Sequence, residues 1–216
     1  MKRLSALLLT VLLILSLCAC SEKTTQSETE NISLETEAQT PVTEFEFGTT
    51  YGLSYNNETM GIGISLPSEF TVTSEDQLAE LNGLDRTLMT TDLPAAMENT
   101  KRAYLFIAMD NAGTYMNVVA ENLKLSGKTF ITGKEYFELN NAEAVKDLED
   151  LGATEITSTP SNITISGTLY DVEVMSYYLD DIACSETKIA FPAGNFMGVM
   201  TIKGDVDTII NRIYGL

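Results

Sequence analysis

The stretch Arg102-Ala103-Tyr104-Leu105-Phe106-Ile107-Ala108-Met109-Asp110 carries the clearest fold signal in the chain, because it is a strand with two apolar faces. Side chains alternate between the two faces of a strand, so every second residue shares a face. One face carries Ala103, Leu105, Ile107 and Met109, and the other carries Tyr104, Phe106 and Ala108. A strand that is apolar on both faces requires other elements packed against both sides of its sheet.

Further strands surround this one and are joined to one another by short turns. Asn111-Ala112-Gly113 connects it to a returning strand at Tyr115–Leu123. Later strands are predicted at Asn162–Ser166, Leu169–Tyr178, Ile182–Phe191 and Phe196–Lys203, with a turn at Pro192-Ala193-Gly194-Asn195. The short turns indicate antiparallel pairing. Because Ile182–Phe191 carries Glu186 and Lys188 on one side, we expect it to lie near an edge of the sheet.

Helices are predicted from their capping residues. Ser74, Gln77 and Gly83 bracket a helix at Glu75–Asn82. Further helices are predicted at Asp92–Asn99, from Thr132 or Gly133 to Leu151, and from Asp205 to Ile213, and two short strands at Tyr51–Asn56 and Gly61–Leu66. The predicted fold class is α+β: a mostly antiparallel sheet with helices on both faces, which is an α/β/α sandwich.

The N-terminus has the three parts of a secretory signal. Lys2 and Arg3 precede an apolar run that ends at Leu17 and is too short to span a bilayer. The following Leu17-Cys18-Ala19-Cys20 resembles a bacterial lipobox. The resemblance implies cleavage after residue 19 and a diacylglycerol on the thiol of Cys20. Cys18 is the competing position, and an ordinary cleaved signal that leaves a secreted protein is the alternative.

Composition divides the remaining chain into a tether and one domain. Residues 20–48 are rich in Ser, Thr and Glu and poor in large apolar side chains, so we expect a disordered spacer after the lipidated cysteine. Residues 49–216 are numerous enough for one hydrophobic core and show no internal repeat. The expected location is the outer face of the cell membrane, reached through the lipid anchor.

Charge and missing residue types exclude several functions. The net charge of −18 repels phosphate backbones, which makes nucleic acid an unexpected partner. The chain has no histidine, so neither a Ser-His-Asp triad nor a histidine-ligated metal site can be built. No catalytic residue, metal ligand or cofactor is predicted.

The order of elements resembles a known group of proteins. The resemblance rests on Gly63-Ile64-Ser65-Leu66-Pro67-Ser68-Glu69-Phe70, Met116-Asn117-Val118-Val119, Glu135-Tyr136-Phe137 and Gly167-Thr168-Leu169-Tyr170. Together they are similar to lipoproteins of gut clostridia whose domain has the PsbP/Mog-type α/β/α sandwich. Two relatives on that fold, an extrinsic photosystem II subunit and a Ran-GTPase-binding protein, act by binding. The resemblance implies a Gram-positive lipoprotein with a binding role and carries over no active site.

Candidate binding residues lie in two turns. Asp110, Asn111 and Tyr115 belong to the first turn, and Asn195 belongs to the second. We expect both turns at the same end of the sheet, where they would form a surface for an unknown protein or ligand. The predicted function is a membrane-anchored binding or accessory module without catalysis. The alternative is a hydrolase that acts on cell-envelope or extracellular glycans through a pair of carboxylates.

Overall fold

Two β-sheets make up most of the described part of the chain, which comprises residues 45–83, 100–128 and 131–216 of this computed structural model. These residues all belong to one unit, Val42–Leu216. The predicted signal peptide at 1–19, Cys20, the tether as far as residue 44 and the predicted helix Asp92–Asn99 lie outside the described residues.

The described residues form eleven strands and three α-helices. The strands are β1 Thr49–Tyr51, β2 Ser54–Asn57, β3 Ile62–Ser65, β4 Phe70–Val72, β5 Arg102–Asp110, β6 Tyr115–Asn122, β7 Thr154–Ile165, β8 Thr168–Leu179, β9 Ile182–Ala193, β10 Phe196–Lys203 and β11 Ile213–Gly215. The helices are α1 Glu75–Asn82, α2 Gly133–Asp150 and α3 Val206–Ile210, and a short 3-10 helix spans Leu123–Ser126.

The strands assemble into a large and a small sheet, both antiparallel at every pairing. The large sheet has seven strands in the order β4-β5-β6-β10-β9-β8-β7, and the small sheet has four in the order β1-β2-β3-β11. Strands β6, β10 and β9 therefore occupy the centre of the large sheet. The expectation that Ile182–Phe191 lies near an edge is wrong, because β9 pairs with β10 on one side and β8 on the other.

One face of the large sheet, here called the sandwich face, packs against the small sheet. Phe106, Met116 and Met200 from the large sheet share one core cluster with Tyr55 and Ile64 from the small sheet. The rings of Tyr55 and Phe106 stack with their centroids 5.0 Å apart. Burial of such large apolar side chains is the dominant favourable contribution to folding, so this layer is the main core.

The opposite face, here called the helix face, carries α2. Phe137 near the start of α2 packs with Ala190, Met197 and Val199 of the large sheet. Leu148 near its end packs with Met175 in a separate cluster. The helix therefore runs across strands β9 and β8 and leaves part of the same face to polar side chains.

The predicted caps are confirmed. Ser74 and Gln77 form a reciprocal capping box at α1, which ends at Gly83 in the left-handed conformation. Thr132 and Glu135 form the same arrangement at α2. These caps satisfy backbone N–H groups that the first turn of a helix leaves unpaired.

The predicted α/β/α sandwich is wrong. A second β-sheet, not a layer of helices, covers the sandwich face of the large sheet. Two apolar faces on a strand show that both sides are covered, but they do not show whether helices or strands provide the cover. The three helices are also few and mostly short: α3 has five residues and ends at Ile210, and Ile213, the predicted end of that helix, begins β11 instead.

The folded region also begins earlier than residue 49. Phe45, placed in the tether by its composition, is only 3% exposed, and its ring stacks on Phe196 with centroids 4.6 Å apart. The carbonyl of Phe47 accepts a 2.6 Å hydrogen bond from the Tyr55 hydroxyl. Residues 45–48 therefore belong to the domain.

Candidate functional site

A patch of polar side chains lies on the helix face where β6 begins and β10 ends. Its members, here called the polar patch, are Tyr115, Asn117, Glu173, Glu186, Lys188, Thr201 and Lys203. Strand register places Lys203 between Tyr115 and Glu186, and Thr201 beside Asn117. Side chains directly opposed on neighbouring strands have Cβ atoms about 4.5–5.5 Å apart, so these residues form one continuous surface.

Four charged side chains of the polar patch pair with one another. The ammonium of Lys203 lies 2.8 Å from Glu186 Oε2, and that of Lys188 lies 3.0 Å from Glu186 Oε1. Lys188 also lies 3.8 Å from Glu173 Oε2, while the hydroxyl of Ser158 donates to Glu173 Oε1 at 2.9 Å. Two lysines face two glutamates, so the formal charges of this group cancel.

Burial and pairing act in opposite directions on these groups. Burial alone would raise the pKa of the Glu186 carboxyl, but the two adjacent ammonium groups more than offset this and hold that pKa below its usual value. Burial alone would lower the pKa of Lys203, but Glu186 holds it above its usual value. Both groups therefore remain charged at neutral pH.

Three tyrosines border the charged group. Burial raises the pKa of Tyr115 to about 12, and it also raises the pKa values of Tyr104 and Tyr177. All three phenols are therefore neutral hydrogen-bonding groups at physiological pH. Tyr104 and Tyr115 are half-buried, and the side chain of Lys203 is 40% exposed, so solvent reaches this part of the face.

A second buried charge on the same face has a structural role. Glu121 accepts hydrogen bonds from Arg102 at 3.2 Å, from the Tyr136 hydroxyl at 2.8 Å and from the Ser126 hydroxyl at 3.3 Å. These donors come from β5, α2 and the 3-10 helix respectively. Because the buried carboxylate is satisfied by all three, it ties these elements to β6.

The four predicted binding residues are not brought together. In the β6–β10 pairing, Tyr115 lies opposite Lys203, whereas Phe196, next to Asn195, lies opposite Asn122 at the other end of the strands. The expectation that the two turns share one end of the sheet is therefore wrong. It fails because the first turn lies just before β6 and the second just before β10. Since these two strands are antiparallel, their starting points lie at opposite ends of the sheet.

The individual turn residues also have structural partners. Asp110 accepts a 2.8 Å hydrogen bond from the backbone N–H of Thr114, which closes the first turn. The carbonyl of Asn195 accepts a 2.9 Å bond from the N–H of Leu123. Asn111 is exposed in its turn. Only Tyr115 belongs to the polar patch.

Sequence reasoning missed the polar patch for a physical reason. Glu186 and Lys188 lie in the polar run Ser185-Glu186-Thr187-Lys188 of β9, a pattern that is typical of a strand in contact with water. Here Glu186 is 4% exposed, because Lys188 on its own strand and Lys203 on the next strand neutralise it. The signal in the sequence is the match of Glu173, Glu186, Lys188 and Lys203 across three strands, and it becomes visible only once their register is known.

Among residues 45–83, 100–128 and 131–216, no group of three or more Cys, Asp or Glu side chains is arranged to hold a metal ion. In the same ranges, no helix is long and apolar enough to cross a membrane.

Cys184 lies across from Tyr177 in the β8–β9 pairing, and its thiol donates to the carbonyl of Ile182.

The chain matches no protein-family model and no curated protein. Function is therefore inferred from the residues and geometry of this chain alone.

Proposed function

We propose that this chain is a lipid-anchored extracytoplasmic lipoprotein of a Gram-positive cell, and that its domain binds a ligand or partner without catalysing a reaction. The observation that carries the proposal is Leu17-Cys18-Ala19-Cys20 after a short apolar run with a basic start. Two acyl chains on Cys20 would anchor the protein stably, since each buried CH2 contributes about 0.8 kcal/mol.

The chemistry of the polar patch favours binding over hydrolysis. A glycoside hydrolase needs two facing carboxyl groups, one of which acts as a general acid through a raised pKa. Glu173 and Glu186 are the buried carboxylates closest to this description, but the ammonium of Lys188 lies between them. The pKa of Glu186 is lowered, so this group is ionised and has no proton to donate at neutral pH. Paired charges and neutral tyrosines suit recognition of a ligand.

The anchor is tested by replacing each candidate cysteine in the native cell. With Cys20→Ala, we expect the protein to leave the membrane fraction for the medium or to accumulate as the unprocessed precursor. Cys18→Ala is the matched control and should stay in the membrane fraction with normal processing. Release of Cys18→Ala together with retention of Cys20→Ala would mean that the lipid is on the other cysteine. Retention of both variants in the membrane fraction with normal processing would contradict lipid anchoring.

A further inference from the structure

The side chain of Asn117 has a buried hydrogen-bonding atom without a partner in the polar patch. Asn117 is 8% exposed, and its amide nitrogen donates a 3.0 Å hydrogen bond to the hydroxyl of Tyr115. Its Oδ1 atom is buried and has no partner in the described part of the chain. Buried polar atoms are almost always paired, so a buried acceptor without a partner needs an explanation.

The side-chain amide of Asn117 lies among groups that donate and accept hydrogen bonds. Thr201 is directly opposite Asn117 on β10, and Lys203 is directly opposite Tyr115. Thr201 and Tyr115 are half-buried and the Lys203 side chain is 40% exposed, so this corner of the patch is open to solvent. Tyr104 on β5 pairs with Val119, two residues along β6 from Asn117, and adds a half-buried aromatic ring.

The charges of the patch restrict the ligand to a neutral one. Lys203 and Lys188 are already paired with Glu186, and Lys188 also approaches Glu173. A ligand carboxylate, phosphate or ammonium would find no charge without a partner here and would lose its own hydration on entering. Burial of a charge without a partner is strongly unfavourable.

We propose that this corner binds a neutral polyhydroxylated ligand, a sugar or a sugar-like group, and that the Asn117 side chain turns outward so that a ligand hydroxyl pairs with the unpaired end of its amide, which is buried in this structure. A hydroxyl can donate and accept, so it satisfies that end whether the amide presents oxygen or nitrogen. Thr201 and Tyr115 contribute further hydroxyls, and the aromatic rings provide apolar surface for the ligand's C–H groups. The inference rests on the proposed binding function and specifies the ligand class for it.

The test uses the complete mature protein, purified in a detergent without a sugar headgroup. Glucose, N-acetylglucosamine and maltose are the neutral probes, and acetate, inorganic phosphate and tetramethylammonium are the charged probes. Saturation-transfer NMR from protein to probe detects weak binding. We expect transfer to at least one neutral sugar and none to the charged probes. The affinity for the monomer of the sugar that binds is then compared with the affinity for its oligomer. This comparison distinguishes a free sugar from the end of a sugar chain as the natural ligand.

The key variant is Asn117→Leu, which keeps the side-chain shape and removes the amide. Because the amide is incompletely paired when no ligand is bound, we expect the thermal midpoint of the variant to equal or exceed that of the wild type. We expect sugar affinity to fall by about tenfold or more, which corresponds to loss of one hydrogen bond in a desolvated site. Tyr178→Phe, which alters an exposed tyrosine outside the polar patch, is the control and should bind as the wild type does.

Three outcomes would overturn the proposal. They are no transfer to any neutral sugar, unchanged sugar binding by a folded Asn117→Leu protein, and preferential binding of a charged probe. None of these results would affect the membrane retention measured with the cysteine variants, so failure of the ligand class and failure of the anchor are distinguishable. Conversely, a Cys20→Ala protein that is not released would count against the anchor but would not change the sugar-binding result.

Discussion

At the scale of single residues, Glu186 shows how a charge becomes acceptable inside this sheet. Its side chain is 6% exposed, yet both carboxylate oxygens have an ammonium partner within 3.0 Å. An ion pair of this kind contributes little net stability, because desolvation offsets much of the attraction. Removal of one partner is different, since it leaves the other charges buried without compensation.

We therefore expect Glu186→Gln to destabilise the protein by about 2–3 kcal/mol at pH 7. This is less than the cost of breaking a fully buried ion pair, because Lys203 is partly solvated. Urea unfolding followed by circular dichroism measures the change. Glu138→Gln is the matched control: Glu138 pairs with Lys134 at 3.8 Å on the exposed surface of α2. Its effect should stay within about 0.5 kcal/mol. Equal effects of the two variants would show that Glu186 is effectively solvated.

The same variant has a defined pH dependence. The pKa of Glu186 is lower in the folded protein than its usual value of 4.5. The stability that Glu186 contributes is thus complete above its unfolded pKa and is lost as pH falls through the folded pKa. The difference between wild type and Glu186→Gln should be largest near neutral pH and should shrink as the pH falls below 4.5. A difference that grows on acidification would mean that the folded pKa is raised.

At the scale of elements, α2 is attached to the sheet by its first turns as well as by its apolar side chains. The Tyr136 hydroxyl donates to Glu121 at 2.8 Å, and Phe137 beside it packs on Ala190 and Met197. The Thr132–Glu135 capping box fixes where the helix starts and therefore where these two aromatic residues lie.

Removal of the tyrosine hydroxyl tests this attachment. We expect Tyr136→Phe to destabilise the protein by about 1–2 kcal/mol, because Glu121 loses one of its three donors. Thermal unfolding by differential scanning calorimetry measures the loss. Tyr178→Phe removes the same atom from an exposed tyrosine and should change stability by less than about 0.5 kcal/mol. No difference between the two variants would show that the bond to Glu121 is replaced by water.

The first described residues form a second attachment. Phe45 packs on Phe196, although its surroundings in the sequence are polar. A protein that begins at Thr49 should therefore melt about 5–10 °C below one that begins at Val42, because burial of a large aromatic side chain is lost. Phe45→Ala should reproduce most of this loss, whereas Tyr51→Ala, at an 86% exposed position, should not. Equal melting temperatures of the two shortened proteins would show that residues 45–48 do not contribute to the stability of the domain.

The sequence predicts elements best where one local interaction specifies them. Ser74 with Gln77 marks the start of α1, and Thr132, one of the two predicted start residues, is the N-cap of α2, because a cap involves only neighbouring residues. Pro160 misleads in the opposite way. Proline favours a loop, and the predicted strand starts only at Asn162, but Pro160 lies within β7, where its missing N–H is tolerated because β7 is an edge strand of the large sheet.

At the scale of the whole molecule, the residues of each strand are predictable but their partners are not. Strands β5 and β10 have the predicted bounds, and β10 packs into an apolar cluster on each face as expected. The small sheet that covers one face is completed by β11, whose three residues pair with β3, a strand far away in the sequence. No local pattern encodes that pairing, so helices, and not a second sheet, were predicted to cover this face. The polar patch was missed for the same reason, since its charges meet only across strands.

The central proposal for the whole molecule is that a lipid on Cys20 holds a binding domain at the outer face of the membrane. The most direct measurement is mass spectrometry of the N-terminal peptide of the mature protein, isolated from the membrane fraction of its own cells. We predict a peptide that begins at Cys20 and carries diacylglycerol on its sulfur, with no trace of residues 1–19. An unmodified mature N-terminus, or a chain that retains Met1, would contradict the claim.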